Sequence, residues 1–206
     1  MKFNKKIFIS FEGPEASGKS SQIKLLSKYL QKNKISHIVT REPGGTLIAE
    51  KLRKIILNKN EKINNDEEIL LIMAARLNHL NNVIYPALKA GKIVISDRYA
   101  DSTFVYQGYV NNYGMRKSIN LHTLLLNNFL PKKTFLFLLS PEKINERLKK
   151  RKSFNKYDKL NIDFHRKVNQ GYRKLSKNNN RFYLINASNS IQEIQNEIIN
   201  VLKTIK

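Results

Sequence analysis

Cysteine is absent from all 206 residues, which excludes disulfides and thiolate metal sites. Histidine is scarce, and His37, His79, His122 and His165 lie far apart without ligand spacing. Acidic residues are few, 16 against 38 lysines and arginines, for a formal net charge of +22. No apolar stretch approaches the length of a membrane span. The basic start Met1-Lys2-Phe3-Asn4-Lys5-Lys6 leads into an apolar run that ends at Glu12, too short for a signal peptide. A soluble, cytoplasmic chain with no membrane partner is expected. The positive charge invites a nucleic-acid reading. However, the lysines are spread along the chain, and no RNP-like aromatic pattern, zinc-finger spacing or recognition-helix signature accompanies them. No specific nucleic-acid partner is expected.

What is present is a phosphate loop. Gly13-Pro14-Glu15-Ala16-Ser17-Gly18-Lys19-Ser20 fits G-x-x-x-x-G-K-[ST] in full. Ile7-Phe8-Ile9-Ser10-Phe11 reads as a buried strand before it, and the segment after it has apolar residues at helical spacing. Strand, glycine loop and helix together predict main-chain N–H groups wrapped around an anion at a helix N-terminus. Lys19 is expected at the β/γ-phosphates of ATP, and the Ser20 hydroxyl on Mg²⁺.

Further β-rich runs at 37–40, 92–96, 134–139 and 182–185 alternate with helical patterns at 19–32, 46–57, 66–90, 100–127 in pieces, 141–150 and 160–177, then a C-terminal helix. This alternation predicts an α/β fold, a parallel sheet with helices on both faces. No repeat or long linker divides the chain, so residues 1–206 read as one domain. Ligands in such sheets bind beyond the carboxyl ends of the strands. Three strand ends carry chemistry here: the phosphate loop, Arg41-Glu42-Pro43-Gly44-Gly45-Thr46, and Asp97-Arg98-Tyr99. Asp97 stands where a carboxylate would meet metal-bound water. Ser102, Thr103, Tyr106 and Gln107 follow within about one and a half turns of helix. The basic stretch 149–160 interrupts helical periodicity and reads as a mobile lid beside a triphosphate site.

The ordered set Gly13–Ser20, Arg41–Thr46, Ala74-Ala75-Arg76, Asp97-Arg98-Tyr99 and Tyr106-Gln107-Gly108 resembles bacterial thymidylate kinase, and Asn186-Ala187-Ser188 resembles that family's turn near the adenine. The resemblance covers essentially the whole chain. It implies a P-loop nucleoside monophosphate kinase fold of five parallel strands, a homodimer, and transfer of the ATP γ-phosphoryl to dTMP in dTTP synthesis. It further implies that Glu15 accepts the dTMP 3′-hydroxyl, and that Arg98 and Arg53 clamp the acceptor phosphate. Arg76 and Gln107, joined by Ser102 and Thr103, would read the thymine edge. Tyr106 would lie under the deoxyribose, with Tyr172 as a further substrate-side tyrosine. Arg41, Pro43 and Asp97 would border the acceptor, and Arg147 and Ala187 the donor. In the family pattern, phenylalanine usually stands where this chain has Ile72. The lid also departs from the pattern at Asn155-Lys156-Tyr157-Asp158, and the phosphate loop contains no arginine. A lid cation is then expected to meet transition-state charge: Arg151 first, Lys156 second, with Arg147 a further candidate. A kinase of another nucleoside monophosphate or of a deoxynucleoside, and an ATP-driven nucleic-acid-binding module, remain as alternatives.

Overall fold

A computed structural model describes residues 7–58, 60–150 and 161–205. Its strands are β1 (Phe8–Glu12), β2 (His37–Arg41), β3 (Ile93–Asp97), β4 (Lys133–Leu138) and β5 (Phe182–Asn186). All pair in parallel, in the order β2-β3-β1-β4-β5. The phosphate-loop strand therefore sits at the centre, where every residue of β1 is buried.

The helices are α1 (Lys19–Lys32), α2 (Leu47–Leu57), α3 (Asn65–His79), α4 (Tyr85–Lys89), α5 (Ala100–Thr103), α6 (Met115–Leu126), α7 (Pro141–Lys149), α8 (Ile162–Ser176) and α9 (Ile191–Thr204). Alternation along the strands sends side chains to opposite faces. Ile9, Phe11, Ile95, Phe135 and Phe137 meet Ile23, Leu26 and Leu30 of α1 and Ile194, Ile198 and Leu202 of α9. Phe8 and Val94 face the other way, onto Ile69 and Met73 of α3 and Phe104 and Leu126. Helix starts follow local chemistry: Thr46, Ser140 and Asn161 cap α2, α7 and α8, and Asn64 with Glu67 and Ser190 with Glu193 form capping boxes.

The expected helix over 66–90 is interrupted. Leu80–Ile84 widen into a π turn between α3 and α4, and Phe104–Val110 do the same after α5. Side-chain periodicity carries no signal for such a widening. The second π segment holds Tyr106 and Gln107, consistent with the tendency of π bulges to occur at functional sites.

Candidate active site

The loop after β1 bends because Gly13 takes φ 132°, and a Cβ there would run into the Phe137 carbonyl. Gly18, at φ 93°, leads directly into α1. Lys19 is buried, and its ammonium donates to the carbonyls of Gly13 (3.1 Å) and Pro14 (2.6 Å) and to Ser17 Oγ (3.2 Å). Burial, followed by the nearby Arg98 guanidinium, pushes its pKa down to about 8. Ser20 Oγ donates to Asp97 Oδ2 at 2.8 Å, joining the loop to the end of β3. A hydroxyl and a carboxylate are hard oxygen donors of the kind that suit Mg²⁺. This cation commonly uses one or two protein ligands and fills its shell with phosphate and water. Among the described residues no group of three or more histidines or carboxylates is clustered for a metal.

Two adjoining clefts open at this sheet edge. Ser17 to Ser21, Arg41, Arg53, Asp97 and Arg147 line the first, around the phosphate loop. Ile72, Arg76, Tyr99, Ser102, Thr103, Tyr106 and Gln107 line the second. Glu15, Glu42, Pro43, Leu57 and Arg98 belong to both walls. Arg98 adopts φ 68°, a left-handed conformation costly for a side chain of its size. Its Nη1 donates to the Gly13 carbonyl (2.9 Å), Ser102 Oγ (3.0 Å) and Tyr172 OH (3.3 Å), and Nη2 to Glu15 Oε1 (2.9 Å). The guanidinium also lies 5.1 Å from the centre of the Tyr106 ring. The Tyr106 hydroxyl is 2.8 Å from each oxygen of Glu15.

The second cleft is held by a buried frame around Glu42, whose bond to Pro43 is cis. Glu42 accepts from Arg76 Nε at 2.7 Å and is bonded to His79 Nδ1 at 2.8 Å, while His79 Nε2 reaches Thr40 Oγ1 at 2.6 Å. Burial would raise the Glu42 pKa, but Arg76 and His79 outweigh it and hold the carboxyl below its usual range. Gly45, at φ 86°, passes so close to His79 that a Cβ would strike the imidazole. Arg76 Nη2 donates to the Tyr99 carbonyl and Thr103 Oγ1, and Nη1 to Met73 Sδ. Among the described residues, four of its five N–H groups are therefore engaged, which leaves one on Nη1 for an acceptor in the cleft.

Residues 11–198 match the family model described as "Thymidylate kinase". The chain belongs to the thymidylate kinase family. It is 40% identical over 204 residues to a thymidylate kinase of Clostridium novyi, covering 97% of this chain and all of that one. It is likewise 40% identical over 200 residues to one from Mycoplasma capricolum, covering 95% and 94%. A crystal structure of thymidylate kinase from Ehrlichia chaffeensis superposes with a TM-score of 0.75 at 31% identity, covering 95% of this chain and 98% of that one. The five-stranded parallel sheet is the α/β fold the sequence led us to expect.

Most residues singled out in the sequence lie on these two clefts. Arg41, on the first cleft, is tied to Glu50 by Nε (3.1 Å) and Nη2 (2.8 Å), and Arg53 donates to the Pro43 carbonyl at 2.7 Å. Arg147 bridges the Ala16 and Ala187 carbonyls at 3.2 and 3.0 Å, linking the phosphate loop to the turn after β5. Tyr172 stands apart from both cleft linings. It is fully buried beneath the cleft, where its hydroxyl meets Glu12, Ser102 and Arg98. A tyrosine on an amphipathic helix gives no sign of which side it will serve. Arg151 and Lys156, with most of the expected lid, lie outside the described residues.

Some contributors were not singled out at all. Glu12 is fully buried and accepts from the Tyr99 N–H (2.7 Å), Ser102 Oγ (2.6 Å) and Tyr172 OH (3.0 Å). Burial, then the charge of Asp101, raises its pKa to about 7. A carboxylate closing an apolar strand was the available signal. His79 was also missed as a positioning group, because its partners Thr40 and Glu42 come from other elements.

Proposed function

We propose that this chain transfers the γ-phosphoryl group of ATP to dTMP, giving dTDP and ADP, within the supply of dTTP. The observation that carries the reading is Arg98, a guanidinium in the shared wall of the two clefts that contacts both the loop of one and the Glu15–Tyr106 pair of the other. Two phosphates meeting head-on would both lie within its reach.

In this reading the loop amides and Lys19 hold the ATP phosphates, and the acceptor lies in the second cleft. Glu15 has acceptor capacity beyond its bonds to Tyr106 and Arg98 and would take the 3′-hydroxyl. The Tyr106 ring would lie against the sugar, and Arg53 and Arg98 would clamp the acceptor phosphate. An oxygen of that phosphate attacks the γ-phosphorus in line while the bond to the bridging oxygen of ADP breaks. No strong base is required, since a phosphate monoester has its second pKa near about 6. Lys19 and Arg98 meet the charge spread over the transferred group, so positioning and neutralisation do most of the work. Mg²⁺, held beside Ser20 and Asp97, would supply further neutralisation of the phosphate oxygens. Arg151 or Lys156 would add the lid charge, and Arg147 braces the donor side.

The reading also includes cytoplasmic placement and a homodimer. Exposed apolar residues on α2 (Leu47, Ile48, Ile55), α3 (Leu70) and α6 (Leu124) support pairing, and light scattering tests it. A coupled assay offering dTMP, dUMP, dGMP, dCMP and thymidine with Mg²⁺ and ATP tests the reaction. Preferred use of dTMP is the expected result. Phosphorylation of another acceptor in its place moves the assignment to that nucleotide.

A further inference from the structure

Arg98 holds its φ of 68° where three consecutive residues at the end of β1 meet it. The Phe11 carbonyl accepts from the Arg98 N–H at 3.0 Å, Glu12 Oε1 from the Tyr99 N–H at 2.7 Å, and the Gly13 carbonyl from Arg98 Nη1 at 2.9 Å. Ser96 Oγ donates to the Arg98 carbonyl at 2.6 Å. A long side chain stays in the left-handed region only when its surroundings over-determine it, as bonds on both sides of this Cα do.

Glu12 acts on the guanidinium from a second direction. Its Oε2 accepts from Ser102 Oγ (2.6 Å) and Tyr172 OH (3.0 Å), the same two hydroxyls that Arg98 Nη1 meets at 3.0 and 3.3 Å. An ionised carboxylate only accepts, and a hydroxyl has one hydrogen with two lone pairs. Each hydroxyl that turns its hydrogen to Oε2 keeps an oxygen lone pair for Nη1. One carboxylate thus fixes the backbone that carries the guanidinium and the polarity of the seat beneath it. Glu12 is fully buried and lines neither cleft, so it acts through Arg98 rather than on a nucleotide.

Resting on the dTMP reading above and deepening it, we infer that Glu12 is a positioning residue for phosphoryl transfer, which keeps the Arg98 guanidinium in the shared wall of the two clefts. Glu15 holds Nη2 from the phosphate loop, but in that reading it also turns to the acceptor's 3′-hydroxyl. Glu12 has no such second duty. Its loss releases the Tyr99 N–H and both hydroxyls together, and the guanidinium shifts with them. A misplacement of about 1 Å at a group that meets the transferred phosphoryl costs up to a hundredfold.

The test is a double-mutant cycle of Glu12→Ala with Arg98→Ala, read as kcat for dTDP formation at saturating ATP and dTMP. Kinetics at pH 8 lie above the Glu12 pKa of about 7 and so report on the carboxylate. Glu12→Ala alone should lower kcat by about tenfold to a hundredfold. In the Arg98→Ala background the same change should cost less than about twofold, because the group it positions is gone. A merely structural role lowers kcat by the same factor in both backgrounds. Glu12→Gln, close in size, carries the same comparison where the alanine variant does not fold. Its single carbonyl serves either the Tyr99 N–H or the hydroxyls, not both. Equal losses in the two backgrounds, or wild-type kcat in a folded Glu12 variant, overturn the inference while dTDP is still made. An Arg98→Ala protein with near-normal turnover, or a wild type that makes no dTDP, overturns the reading beneath it as well.

Discussion

Arg98 Nη2 donates to Glu15 Oε1 at 2.9 Å, tying the end of β3 to the loop that follows β1. Neither side chain is open to solvent, at 19% and 6% exposure, so the pair acts at short range with little screening. Glu15 in turn holds Tyr106, and Arg98 holds Ser102 and the Gly13 carbonyl. The phosphate loop and the acceptor wall are thus registered to one another through the Glu15–Tyr106 pair and the Arg98 guanidinium beside it, where Arg98 takes a φ of 68°.

Arg98→Ala should lower kcat on the order of a hundredfold or more, since in the proposed reading it removes donors that meet the transferred group. Arg98→Lys should recover little. One ammonium cannot reproduce the fork that spans Gly13, Ser102 and Glu15. Steady-state kinetics with a circular-dichroism check of folding decide the matter, and near-normal turnover in the alanine variant removes Arg98 from the mechanism.

Lys19→Ala should cut turnover by roughly a hundredfold while calorimetric binding of dTMP stays within a few-fold of wild type. Among the described residues the ammonium bonds to its own loop alone, at Gly13, Pro14 and Ser17, and it lines the donor cleft rather than the acceptor cleft. Equal loss of dTMP binding would show that the loop itself had collapsed.

Glu12 gives stability a specific pH dependence. Its pKa rises from 4.5 to about 7 on folding, through burial first and then the charge of Asp101. The folded state therefore binds the proton more tightly than the unfolded chain. Its contribution is full below about 4.5, declines as pH rises through the interval, and is lost above about 7, at up to about 1.4 kcal/mol per pH unit. Glu12→Gln should flatten this part of the Tm profile between pH 5 and 7. A variant profile parallel to wild type would contradict the shifted carboxyl.

Ile72→Phe places a ring at the buried edge of the acceptor cleft. If the base stacks there, KM for dTMP should fall several-fold, the equivalent of about 0.5–1.5 kcal/mol. A raised KM with a lowered Tm would mean instead that the ring overfills the space between α2 and α3.

The sheet was legible because its strands are short apolar runs between turns, and a strand buried on both faces needs little else. Glu12 closing such a run could have been noticed, since a charge at that depth demands partners. His79 could not: helical spacing puts it among core residues, and only the approach of Thr40, Gly45 and Glu42 makes it a strut.

By itself the sequence determined the phosphate loop, the parallel α/β fold and the set of side chains gathered at the strand ends. These depend on local conformation and on periodicity, which neighbours in the chain dictate. The tertiary structure alone decided that Tyr172 braces Arg98 from below, that Glu42 orients Arg76, and that Glu68 holds one arm of Gln107. These are contacts between groups 34 to 74 positions apart. Hydrogen-bond direction across such gaps is set by how helices pack on the sheet, a distance no local pattern encodes.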